Sequence, residues 1–196
     1  NVELVDTDGK GLEEISENGI VFNGKEYEVD CIIFATGFEV GTEYSRRAGY
    51  QIHGVDGKTV TQKWQNGLST FHGMHSRGFP NSFFFGPAQS GFTATYTYSL
   101  DEQSIHLAYI LKKIMDKGAT RIEASQEAEE QWIQTIIEKA RLTADFQENC
   151  TPGYYNNEGK INQTPQNNTY GGGPIEFFSL MKKWRSKDNL EGLEIN

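Results

Sequence analysis

Residues 29–40 read VDCIIFATGFEV. Positions 31–34 are apolar without interruption, whereas a strand with one wet face alternates polar and apolar residues. The pattern therefore predicts a strand buried on both sides, as in a parallel sheet. The run ends on a small-residue corner, Ala35-Thr36-Gly37. In open α/β sheets ligands sit at the carboxyl ends of strands, where small residues let the backbone approach a flat cofactor. A second junction of this kind follows in SFFFGPAQSG at 82–91: residues 82–85 read as a buried strand that Gly86-Pro87 stops. Both corners suit one shared ligand, and both also suit a plain strand cap; spacing alone leaves the two open.

The chain has 196 residues, 36% of them hydrophobic, which is enough for a real core. Its net charge of -9 argues against nucleic acid or an anionic membrane surface as partner. No apolar run approaches the ~18 residues of a membrane span. Cys31 and Cys150 lie far apart in unlike surroundings, so a disulfide framework is not expected and a reducing cytoplasm is. The chain opens on Asn1 and enters a sheet-like VELVDTDGKG at once, which reads as the later portion of a longer protein.

Residues 2–30 alternate short apolar runs with turn signals, and Asn23-Gly24 between β-type stretches predicts a type I′ hairpin. Residues 39–74 carry weak signals, with short strands expected at 50–52 and 73–75. A helix opens in the tract AQSGFTATYT, with Leu100, Leu107, Leu111 and Ile114 as its buried stripe, Gln103 and Ile110 filling in, Asp101 and Glu102 near its positive end, and Gly118 closing it. Ser125 is the N-cap of a second helix that presents Ala128, Trp132, Ile133, Ile136, Ile137 and Ala140, with Glu127, Glu129 and Glu130 in its first turn. Residues 149–174 form a long Gly/Asn/Pro-rich loop, 175–184 a short apolar helix, and the rest a polar tail.

The four histidines, His53, His72, His75 and His106, are scattered. His72 and His75 stand three apart without a Cys or carboxylate at supporting spacing, so no metal site is expected. Neither a Gly-x-Ser-x-Gly elbow nor a phosphate-cradling loop occurs.

The order D-C-I-I-F-A-T-G-F at 30–38 and G-F-P-N-x-F-F-x-G-P at 78–87 resembles the carboxyl-terminal part of the class B flavoprotein monooxygenases, the Baeyer-Villiger and flavin-containing monooxygenases. Asp30 with Ala35-Thr36-Gly37-Phe38 is similar to that family's D-x-x-x-x-A-T-G-[FY] motif. The likeness continues through Trp64, Glu102-Gln103, and the loop with Gly153, Asn156, Gly159 and Lys160.

The resemblance implies an α/β chain that is an incomplete fragment of a flavoprotein with two dinucleotide-binding domains, contributing strands of the sheet and two following helices. Residues 1–30 would close the NADPH-binding domain, 31–148 return into the FAD-binding domain, and 149–196 supply a loop beside the active site and a tail. It implies that Ala35, Thr36 and Gly37 bring backbone near the FAD, and that the segment with Gly86, Pro87, Gln89, Ser90, Thr95 and Tyr96 runs past the isoalloxazine into a helix whose first amides favour reduced flavin.

The implied reaction is hydride transfer from NADPH to FAD, capture of O2 as a flavin peroxide, and oxygen insertion beside a ketone or onto a soft heteroatom. Two departures matter. Cys150 stands about where many Baeyer-Villiger enzymes carry a Trp over the nicotinamide, with Tyr154-Tyr155 nearby. No Gly-x-Gly-x-x-Gly fingerprint, nor the active-site Asp and Arg between them, occurs in these residues, so no catalytic residue is assigned and the chain alone is not expected to hold FAD tightly or turn over. An N- or S-oxygenating relative is the first alternative. A stand-alone binding module, its exposed apolar surface covered by self-association, is the second.

Overall fold

The computed structural model describes residues 1–37, 48–140 and 164–196. These fall into two compact units, one within 1–37 and the other comprising 48–140 and 164–196.

The first unit is built on the expected hairpin. Strands β1 (Glu14–Ile15), β2 (Gly19–Phe22) and β3 (Lys25–Glu28) form an antiparallel sheet in the order β1-β2-β3, with Phe22 opposite Lys25. Asn23 and Gly24 adopt φ of 52° and 71°, the left-handed pair a two-residue type I′ turn requires. The Glu13 carboxylate accepts from both turn amides, at 2.9 and 3.2 Å. No strand forms at the amino terminus, where Val2 and Leu4 are exposed and Glu3 lies 3.5 Å from Lys25 Nζ.

The expected core strand at 31–34 is not formed: these residues are irregular, with Ile33 83% and Phe34 72% exposed. A central strand exists only through hydrogen bonds to neighbours on both edges, and no described strand lies beside this one. Hydrophobicity selects the segment for burial, but it cannot supply the neighbours.

The second unit holds α1 (Val60–Lys63), α2 (Tyr96–Asp116), β4 (Ile122–Ala124), α3 (Gln126–Lys139), α4 (Pro174–Ser186) and β5 (Leu193–Ile195). Ser125 caps α3 as its sequence predicts, its hydroxyl accepting from the Ala128 amide. Ala128, Trp132 and Ile136 enter a core completed by Ile110, Ile114, Tyr170, Phe177, Phe178, Met181 and Trp184. Val60, Phe79 and Phe84 make a smaller cluster, with Trp64 edge-on to Phe84.

Four expectations change here. The 82–85 segment forms no strand; the Phe84 amide donates to the Met74 carbonyl at 2.8 Å. The strands expected at 50–52 and 73–75 reduce to isolated bridges, His53 with Thr59 and Phe71 with His75. The polar tail is no tail, because β5 pairs antiparallel with β4, Leu193 opposite Ala124. Finally, α2 buries Gln103, Ile110 and Ile114 as expected, but its buried face is completed by Ser99, Glu102 and His106 rather than by the leucines, and Leu111 is exposed. Both sets have helical period; α4 packs on the polar-rich face because that face carries the partners for a hydrogen-bonded layer, which periodicity does not register.

Candidate functional site

The 86–90 turn is the most highly constrained irregular segment of the second unit. Gln89 and Ser90 are fully buried. Gln89 has φ of 54°, a left-handed conformation uncommon outside glycine, and its surroundings hold it there. Its Nε2 donates to the Leu68 and Gln166 carbonyls, both at 2.8 Å, and its Oε1 accepts from the Thr70 hydroxyl. Its backbone amide donates to the Asn168 carbonyl at 2.9 Å, and its own carbonyl accepts from Trp132 Nε1 at 3.1 Å. One side chain and its peptide thus join three stretches of chain.

Ser90 Oγ donates back to the Gly86 carbonyl at 2.5 Å, and Gln103 Nε2 from α2 donates to that carbonyl at 2.9 Å and lies 3.0 Å from Ser90 Oγ. The glycines around the turn differ in why they are glycine. Gly73 has φ of 70°, and a Cβ there would come within 2.9 Å of the Ala88 carbonyl; one on Gly91 would meet the Phe177 ring at 2.8 Å. Gly86 has neither reason: its φ is not positive, and a Cβ would meet no atom of the described residues within 4 Å.

Pro87 is half-buried beside it. Thr95 is the N-cap of α2 and Tyr96 its first residue; both are exposed, and Thr95 makes no side-chain cap bond, so no hydroxyl shields the first amides of the helix. Ala35, Thr36 and Gly37 belong to the first unit, are exposed, and make no hydrogen bond among the described residues. Gly37 has φ of 78°, a conformational need of its own. Cys150, Gly153, Tyr154, Tyr155, Asn156, Gly159 and Lys160 lie outside the described residues, as does Phe38.

Two groupings escape linear reading. His72, His75 and His106, distant or irregular in sequence, are all buried together: the His72 ring centroid lies 5.6 Å from His106, 5.1 Å from Trp132 and 5.5 Å from Trp184. Burial brings His75 down to about 4 and, with the Arg185 guanidinium and His75 adding repulsion, His106 down to about 3; burial, His106 and His75 hold His72 well below its ordinary value. The three rings are therefore neutral near pH 7 and serve as aromatic core. Among the described residues no group of His, Cys, Asp or Glu is arranged to hold a metal.

The second grouping is ionic. Buried Glu129 accepts from Lys63 Nζ at 2.7 Å and from the Arg77 amide at 2.7 Å, so it ties the 76–78 turn to α3 rather than only facing the helix dipole. Glu123 does the same from β4: burial raises its carboxyl, but Arg121, the Gly78 amide and Arg77 outweigh that and hold it below the usual carboxylate range.

No family model matches the chain. It is 46% identical, over its whole length, to neopentalenolactone D synthase of Streptomyces avermitilis, and spans 33% of that protein. Its whole length also superposes on polycyclic ketone monooxygenase from the thermophilic fungus Thermothelomyces thermophila, with TM-score 0.86 and 34% identity, covering 32% of that chain. OTEMO, solved in complex with FAD and NADP, matches all of it with TM-score 0.72 and 27% identity, over 35% of its own length.

The chain belongs to the class B flavoprotein monooxygenase family. It spans about a third of the length of these monooxygenases. A class B member needs places where backbone meets flavin, and the open side of Gly86 is a fit: the chain's own packing does not require glycine there, while a flat ring system against the backbone would. No described helix is long and apolar enough to cross a membrane.

Proposed function

We propose that this chain is the carboxyl-terminal portion of an FAD- and NADPH-dependent monooxygenase that inserts one oxygen atom of O2 into a ketone. The observation that carries the cofactor side is Gly86, whose backbone faces open space although the turn around it is fixed on every other side. Likeness along the whole chain to a polycyclic ketone monooxygenase supports a ketone as substrate.

In this reading FAD, when bound, supplies the acceptance of hydride from NADPH and the reaction with O2. The chain's part is to bind and orient. Gly86 and Pro87 present backbone to the ring. Gln89 and Ser90, whose side chains are spent inside the unit, take part through the backbone they fix. Thr95 and Tyr96 open α2, whose uncapped first amides favour negative charge. Ala35, Thr36 and Gly37 give a second stretch of bare backbone. Residues 1–30, 31–148 and 149–196 are then the end of the NADPH-binding domain, the return into the FAD-binding domain, and a substrate-side loop with tail.

The test is the full-length protein: its flavin absorbance, and NADPH oxidation measured with ketones, sulfides and amines. Ketone-dependent oxidation with ester formation is expected. Oxidation of amines or sulfides alone would move the assignment to an N- or S-oxygenating relative, and a colourless protein that takes up no FAD would overturn it. Because Gly37 has positive φ, any side chain there strains the backbone, so Gly86→Ala is the cleaner probe of cofactor contact.

A further inference from the structure

In the 86–90 turn the Gln89 and Ser90 amides are spent, on the Asn168 and Pro87 carbonyls. The Gly86 carbonyl accepts from Ser90 Oγ and Gln103 Nε2, while the Gly86 and Ala88 amides donate to no described atom. Pro87 between them has no amide and a fixed φ, so once the Gly86 carbonyl is pinned the plane of the 86–87 peptide is pinned with it. Two side chains hold that carbonyl, and only Gln103 reaches it from another element, α2.

The orientation of the Gln103 amide follows from chemistry. A carbonyl only accepts, so Nε2 must face Gly86, and Oε1 points away without a hydrogen-bond partner. Gln103 and Ser90 are buried, so this clamp is shielded from water that would compete for it.

We infer that Gln103 is a positioning residue for the flavin: by holding the Gly86 carbonyl it fixes the Gly86 backbone that the proposed function sets against the cofactor. This inference rests on the proposed function, in which the 86–90 turn meets FAD. Gln103 itself touches neither cofactor nor substrate. Removing its donor leaves that carbonyl on Ser90 alone, which loosens the 86–87 peptide and the backbone the ring would meet.

The experiment uses the full-length holoenzyme and compares Gln103→Leu, Ser90→Ala and Gly86→Ala with the parent. The readouts are the visible flavin spectrum, the flavin reduction potential and the Kd for FAD. Gln103→Leu is expected to shift spectrum and potential and to weaken FAD binding about tenfold, the effect of losing one buried, directed hydrogen bond. Ser90→Ala should move all three in the same direction by less, because the donor that remains is Gln103, which ties the turn to α2.

If Gly86→Ala perturbs the flavin while Gln103→Leu and Ser90→Ala leave spectrum and potential at parental values, the inference falls and the cofactor reading stands. If Gly86→Ala also leaves the flavin untouched, the turn does not face it and both fall. Should Gln103→Leu not fold, Ser90→Ala decides by the same criterion.

Discussion

The two small-residue corners look alike in sequence and differ completely in structure. At 34–37 an aromatic residue precedes Ala-Thr-Gly, and the corner stands exposed, with no hydrogen bond among the described residues. At 84–91 an aromatic residue precedes Gly-Pro, and the corner is locked by Gln89, Ser90 and Gln103 into the core of its unit. The lesson is that an apolar run ending on glycine marks where a backbone is to be placed, while the lateral partners decide whether it is held. The second corner finds its partners within its own unit, among them Gln166, 77 residues away in sequence.

The sharpest way to break this contrast is a matched pair of substitutions. Phe84→Ala, which empties a 6% exposed site against Trp64, should lower stability by about 3 kcal/mol or more in chemical denaturation. Phe34→Ala, at a 72% exposed site, should change the stability of this chain by less than about 0.5 kcal/mol. Comparable losses at both would mean that the first corner has structural partners after all.

Acid is the next lever on the second unit. Its buried histidines titrate lower when folded than their ordinary 6.5, so the unfolded chain binds more protons as pH drops. Stability is therefore fully present above pH 6.5 and declines below it, for His75 until about pH 4 and for His106 until about pH 3. Glu102 and Arg185 face the same rings, Lys182 pairs with Glu102, and Arg185 opposes protonation of His106. The loss for His75 alone is on the order of 3 kcal/mol. Denaturation midpoints from pH 7 to 4 should fall steeply in the parent and less in His75→Phe, whose ring remains apolar at every pH.

Gln89→Leu, close in volume, leaves the Leu68 and Gln166 carbonyls and the Thr70 hydroxyl without their partner and should cost about 2 kcal/mol. A smaller value would show that the turn is held mainly by its backbone bonds. In the first unit, Gly24→Ala at φ of 71° should cost about 1 kcal/mol and show as earlier amide exchange in β2 and β3, with no change in the second unit.

Local chemistry was legible. The Asn23-Gly24 turn, the Ser125 cap, the Ala128-Trp132-Ile136 stripe and the helix near 175–184 follow from neighbours a few residues apart, and each is present. What failed was what depends on distant partners. The α2 stripe is buried as read at Gln103, Ile110 and Ile114, yet the helix also turned His106 inward and left Leu111 exposed, since α4 offers His106 an aromatic neighbour that no periodicity records. The closing residues looked too polar to pack, but an edge strand needs only backbone groups to join β4. The histidine cluster had no linear signal, because its members come from an irregular turn and a helix that meet only on folding.

By itself, the sequence determined the family likeness, the punctuation by glycine, proline and caps, and the places where bare backbone is offered. Only the tertiary structure decided which of those places are held and by what. Turn and cap preferences are set within a few residues by φ, ψ and one hydrogen bond, whereas burial and polar satisfaction are set by whichever side chains arrive from far along the chain.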